Sequence, residues 1–159
     1  MKARMLAPAK IGAALSSIWT PALLVSLPHL EVNDDRMRTL LENTGVSLRP
    51  HAKAHKSSAI CKWQEERARA AGAPVSGFCA QTLREATALL EAGCTDVLLT
   101  NELTEGAMFR LAETASRHPK ATVNTLVDCQ AHIAALETAA AAAGAKNVGA
   151  LIEIECGQG

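Results

Sequence analysis

Short apolar runs alternate along this chain with longer stretches of helical period, and that alternation restricts the fold more than any other feature. The runs are Ala22–Leu27, Val46–Arg49, Val75–Cys79, Asp96–Thr100, Thr122–Leu126 and Val148–Glu155. Most are nearly continuous rather than strictly alternating, as expected of strands covered on both faces of a parallel sheet. Val46–Arg49 is the weakest, being short and half polar. Helices are predicted between the runs. One runs from Asn33 to about Asn43 and is stopped by Thr44-Gly45. A second starts at Ser57 or Ser58, a third spans Leu83–Ala92 after Thr82, and a fourth spans Glu105–Ala115 after Thr104. The last is rich in alanine, opens at Asp128 and ends at Gly144. Ser, Thr, Asn and Asp at these starts offer oxygen acceptors to unpaired backbone N–H groups. Strand-to-strand steps of about twenty to thirty residues suit repeated βα units, hence an α/β fold with a parallel sheet.

The length of 159 residues suits one domain with a true core. Six predicted strands fall short of the eight of a (β/α)₈ barrel, which typically takes about 250 residues. The pattern therefore leaves two architectures, an open doubly wound sheet or an incomplete barrel. Sixteen basic and sixteen acidic side chains cancel, which removes the electrostatic argument for a nucleic-acid or membrane-surface partner. Trp19, Trp63, Phe78 and Phe109 are the aromatic residues, too few for a base-stacking platform. The five cysteines are widely spaced, odd in number and without a CxxC pair, the usage of a reducing, cytoplasmic compartment rather than of a disulfide framework or zinc cage. Residues 1–19 are expected to be an N-terminal extension. The run Ile11–Trp19 is too short and interrupted to span a bilayer.

Arg49, His51, Lys53, His55 and Lys56 form the densest chemical cluster, at a predicted strand end before a helix. Ligands of α/β folds bind at such carboxyl ends. If the extended backbone continues, Arg49, His51, Lys53 and His55 share one face. Cations crowded there repel one another unless an anion or cofactor sits among them, and crowding suits a Schiff-base amine. A solvated basic loop explains the same composition. The HxxxH spacing of His51 and His55 lacks the helix and glutamate of a zinc motif.

The string RPHAKAHKS, Arg49 to Ser57, resembles the pyridoxal-phosphate segment of the D-threonine aldolase and D-serine dehydratase family, whose barrel is similar to the alanine racemase N-terminal domain. Further landmarks follow in order. TPALLVSL resembles the opening strand, Cys79-Ala80-Gln81 with Arg84-Glu85-Ala86 a strand–helix junction, and Leu99-Thr100-Asn101-Glu102 an I/L-x-N-E motif. Val127-Asp128 and the segment Ile152–Gly159 resemble the ends of later strands. The likeness covers about residues 20–159. Ser26, Glu155 and Cys156 depart from its usual aspartate, aspartate and branched apolar residue.

The resemblance implies an α/β fold, part of a (β/α)₈ TIM-type barrel of about six βα units, cut before a C-terminal β domain, with residues 20–159 as the cofactor-binding domain. It implies that Lys53 is the catalytic lysine holding pyridoxal 5'-phosphate covalently. His51, His55, Gln81 and Asn101 are implied cofactor-site residues, with strand-end hydrogen bonding as the alternative reading for Gln81 and Asn101. The implied substrate is a small D-3-hydroxy amino acid, D-threonine giving glycine and acetaldehyde in the aldolase branch. A D-serine dehydratase-like ammonia-lyase and a non-catalytic cofactor-binding barrel are the alternatives. The family's divalent metal is held by residues of the β domain, so no metal ligand is assigned here, and a catalytically incomplete chain is expected. Subunits paired as a homodimer are also implied.

Overall fold

The computed structural model describes residues 9–72 and 75–157. Contacts divide the chain into two compact units, one ending at Met37 and one running from Arg38. The first holds a 3₁₀ turn, Leu15–Ser17, an irregular stretch, and most of helix α1, Leu27–Leu41. Its apolar residues Ile11, Trp19 and Leu23 are exposed. The strand expected at Ala22–Leu27 does not form. An apolar run supplies only a preference for burial, whereas a strand also needs a partner for its backbone groups. Leu27 instead begins α1, and Asn33, expected to cap this helix, lies inside it.

The second unit is a run of βα units. Its helices are α2 (Ser58–Ala70), α3 (Leu83–Glu91), α4 (Glu105–Arg117) and α5 (Gln130–Ala143). Its strands are β1 (Phe78–Ala80), β2 (Asp96–Glu102), β3 (Thr122–Val127) and β4 (Val148–Ile152). All are parallel and pair in chain order, β1-β2-β3-β4. That sequential order is how a barrel wall is built, and a doubly wound sheet would reverse its order. Six strands were expected and four form among the described residues.

Among the described residues the expected strand Val46–Arg49 keeps one isolated parallel bridge, Leu48 to Val75, and a second, His51 to Cys79, follows it. The Ser76 amide donates to Leu48 O at 2.9 Å and the Cys79 amide to Pro50 O at 2.8 Å. Pro50 has no N–H to return, so a continuous ladder is interrupted there. The segment still lies along the free edge of β1, in the place of a preceding strand.

Local signals explain the helix starts unevenly. Ser57 accepts from the Ile60 amide and Thr82 from the Glu85 amide, as expected of caps. Thr104 holds the cap position of α4 without a side-chain cap bond. Asp128 does not cap α5, because the cap position belongs to Cys129. At the far end of α5, Gly144 takes a left-handed φ of 62°, and the Ala145 amide closes onto Ala140 O at 2.9 Å.

The core lies on one face of the sheet. Phe78, Ala80, Val97, Leu99 and Val123 point to that face and pack with Ala86, Leu89 and Leu90 of α3 and Leu111 and Ala115 of α4. A second cluster joins Val127 to Met108 and Ala112 of α4 and Leu136 and Ala139 of α5. Asn147 secures the end of α4. Its Nδ2, with two protons, lies 2.7–3.1 Å from the carbonyls of Ala115, His118 and Ala121 and so ties the end of α4 to the turn before β3. Alternation places Cys79, Leu98, Thr100, Asn124 and Leu126 on the other face, where all five are half-buried.

Candidate active site

The carboxyl ends of the strands gather the predicted residues, and they arrive by different routes. Extended backbone ends at His51, and a 3₁₀ turn, Ala52–Ala54, follows. Arg49, His51, Lys53 and His55 therefore do not lie on one extended face, contrary to the expectation from residue spacing. Buried Ala52 anchors the turn and leaves Lys53 exposed at the rim. The turn closes through the Lys56 amide to Ala52 O at 2.7 Å, with Lys56 itself at a left-handed φ of 51°. That conformation is unusual for a side chain with a Cβ and marks a tightly determined loop.

Tertiary partners separate the cations. Arg49 turns towards the opposite end of the sheet and grips Asp96, the first residue of β2, with two bonds of 2.7 and 3.2 Å. Lys56 pairs with Glu85 of α3, whose other oxygen accepts the Gln81 amide at 2.8 Å. The bond to Lys56 is the main reason that the Glu85 carboxyl is held below its ordinary value of 4.5. Lys53 is different. Among the described residues its amine forms no hydrogen bond or ion pair.

His51 is held from both sides of its ring. Nε2 lies 3.1 Å from Thr100 Oγ1, and Nδ1 accepts the Lys53 amide at 3.3 Å. The Thr100 hydroxyl gives its one proton to Ala80 O at 3.1 Å. Its oxygen is then an acceptor, so His51 carries its proton on Nε2 and is neutral. Burial, followed by the positive charge of Lys53, lowers the pKa of His51, in agreement with a neutral ring. Thr100 was missed from sequence, where the family-like motif drew attention to its neighbour Asn101. Its position on the same strand face as Leu98 was the available signal.

Gln81 and Asn101 bind one another across the ends of β1 and β2. Gln81 Nε2 donates to Asn101 Oδ1 at 3.0 Å, and Asn101 Nδ2 donates to Gln81 O at 2.9 Å. Their strand-end role is thus present in the structure. His55 ends the 3₁₀ turn, and its Nδ1 accepts the Ser57 amide at 3.1 Å. Burial lowers its pKa as well. A free amine, a neutral imidazole, a threonine hydroxyl and two amides thus converge on one rim. The exposed amine of this set is able to condense with an aldehyde.

A sequential parallel wall with such a rim defines a β/α-barrel protein. The chain belongs to the family described as "Alanine racemase, N-terminal domain", which it matches over residues 25–159. It is 41 % identical over 155 residues to 3-hydroxy-D-aspartate aldolase of Paracoccus denitrificans (strain Pd 1222), and 34 % identical over 152 residues to D-threonine aldolase of Arthrobacter sp.. Each match covers 96 % of this chain and 38 % of the relative. The crystal structure of D-threonine aldolase from Filomicrobium marinum superimposes with a TM-score of 0.82 at 36 % identity, covering 95 % of this chain and 38 % of that one. The chain thus spans well under half the length of the proteins it matches.

Proposed function

We propose that this chain is the cofactor-anchoring part of a pyridoxal-phosphate-dependent lyase acting on small D-3-hydroxy amino acids. The two aldolase relatives support that class, and the carrying observation is the unpaired Lys53 amine. Arg49 and Lys56, its cationic neighbours, are each held by an acid, which leaves Lys53 able to condense with an aldehyde. Residues 20–159 form the cofactor-binding portion of the barrel in this reading.

When bound, pyridoxal 5'-phosphate supplies an electron sink for cleavage beside the amino-acid Cα. The residues of this chain perform the surrounding tasks. Lys53 attaches the group. Neutral His51, fixed by Thr100 and the Lys53 amide, limits the positive charge beside the amine. The Gln81–Asn101 pair holds the ends of β1 and β2 together and presents amide groups to the rim. Cleavage between Cα and Cβ of D-threonine would release glycine and acetaldehyde. Five free cysteines are compatible with a reducing, cytoplasmic setting, and no helix among the described residues is long and apolar enough to cross a membrane.

The test is spectroscopic. Purified chain mixed with pyridoxal phosphate should gain a visible band, and borohydride should fix the group on the peptide containing Lys53. Lys53→Ala should abolish both signals, whereas Lys56→Ala should retain them. Absence of the band from folded wild-type chain, or labelling spread over several lysines, would sink the assignment.

A further inference from the structure

The end of β3 carries a second group of chemically able side chains that the lyase reading does not use. Asp128, Cys129 and His132 offer one carboxylate oxygen, one sulfur and one ring nitrogen, all within 4.8 Å of one another. We propose that these three residues bind a single borderline-soft divalent ion, with zinc(II) as the best fit.

Geometry makes the first argument. The residues stand at i, i+1 and i+4, with Asp128 and Cys129 immediately before α5 and His132 in its first turn. A short, rigid segment therefore supplies all three donors. Bonds from zinc of about 2.3 Å to sulfur and about 2.0–2.2 Å to nitrogen and oxygen put neighbouring ligand atoms roughly 3.3–3.8 Å apart in a tetrahedron. The observed cluster is close enough that side-chain rotation can complete it. A fourth position remains open to water or a substrate group.

The present partners make the second argument. His132 Nδ1 lies 2.8 Å from Asp128 Oδ1, yet the ring nitrogen is buried and the contact falls outside hydrogen-bond geometry. Burying a polar nitrogen without a hydrogen bond is costly, and coordination would satisfy it. Cys129 occupies the cap position of α5 but makes no side-chain cap bond, so its sulfur is not committed to the helix. A plain Asp–His ion pair would account for two of the residues and leave both the poor geometry and the thiol unexplained.

Donor chemistry selects the ion. Sulfur and imidazole favour zinc, cobalt or iron over magnesium and calcium, which prefer oxygen ligands throughout. Binding requires the Cys129 thiol to release its proton to solvent, so affinity must fall as the solution is acidified.

Cobalt(II) is the direct probe, because it reports both sulfur ligation and tetrahedral geometry in its absorbance. Titrating the full chain should produce a thiolate-to-cobalt charge-transfer band with visible ligand-field bands, and zinc(II) should displace them. Cys129→Ser should remove the charge-transfer band, whereas Cys156→Ser, altering another exposed cysteine, should leave it. Loss of an outer-shell partner alone weakens metal sites about 10–100-fold, so Asp128→Asn and His132→Gln should each weaken zinc binding about 100-fold or more. A folded chain without the band, a band that survives Cys129→Ser, or unchanged affinity in both other variants would overturn the site. Alkylation of the wild-type chain, read peptide by peptide, needs no variant. Zinc should protect Cys129 and not Cys156, and equal reaction rates with and without zinc would also overturn it.

Discussion

The two faces of the sheet differ in completeness. On the helix side, Phe78, Val97, Leu99 and Val123 are at most 1 % exposed, under a layer formed by α3 and α4. On the other side, Cys79, Leu98, Thr100, Asn124 and Leu126 are half-buried, and Leu151 of β4 is 42 % exposed. Stability therefore concentrates on one face, while the polar rim groups belong to the strand ends and the less covered face. A barrel separates these duties in the same way, with helices outside and chemistry at the carboxyl ends of strands.

Adjacent residues of β2 test that contrast most strongly. Leu99→Ala opens a cavity under the helices and should lower unfolding free energy by about 2–5 kcal/mol. Leu98→Ala, one residue away on the less covered face, should cost less than about 1.5 kcal/mol. Urea unfolding of the two variants measures both, and equal losses would erase the distinction between the faces.

Next in size is Gly77→Ala, at the entry to β1. Gly77 has a left-handed φ of 83°, and a Cβ there would strike the backbone carbonyl of Asp96. Two penalties, backbone conformation and collision, should together cost about 2 kcal/mol or more. The close approach of β1 to β2 supports both faces. A neutral substitution would show that the Gly77 region yields and that its close approach to Asp96 does not fix β1 against β2.

Smallest is the pH dependence of the rim. His51 and His55 have lowered pKa values in the folded chain, so below the ordinary value of 6.5 the unfolded chain binds more protons. Their favourable contribution is present above 6.5 and is lost as pH falls through the folded values. Glu85 acts in the same direction at lower pH, with stability present above 4.5 and lost through its depressed value. Unfolding midpoints measured from pH 7.5 to 4 should decline in these two stages. His51→Gln should reduce the earlier stage, and an unchanged curve would place that titration elsewhere.

Much of the βα alternation was readable because it rests on local chemistry. Ser57 and Thr82 cap helices with their own oxygens, Gly144 supplies the left-handed residue that ends α5, and the apolar runs from Asp96 and Thr122 become paired strands. Signals that needed a partner were less dependable. Ala22–Leu27 has the composition of a strand and no ladder, and Val46–Arg49 is interrupted by the proline that follows it. Asp128 has a capping side chain but sits one residue too early and faces His132 instead.

For the candidate site, the sequence by itself determined which groups were present: Lys53 among several cations, two histidines, and amides at successive strand ends. The family resemblance singled out Lys53, and the tertiary structure added the physical reason, that its neighbouring cations are held by acids. Asp96 holds Arg49 from 47 residues away and Glu85 holds Lys56 from 29, while the 3₁₀ turn carries Lys53 out to the rim. Charge partners across such separations arise from strand register and helix packing, and residue spacing within RPHAKAHK contains neither.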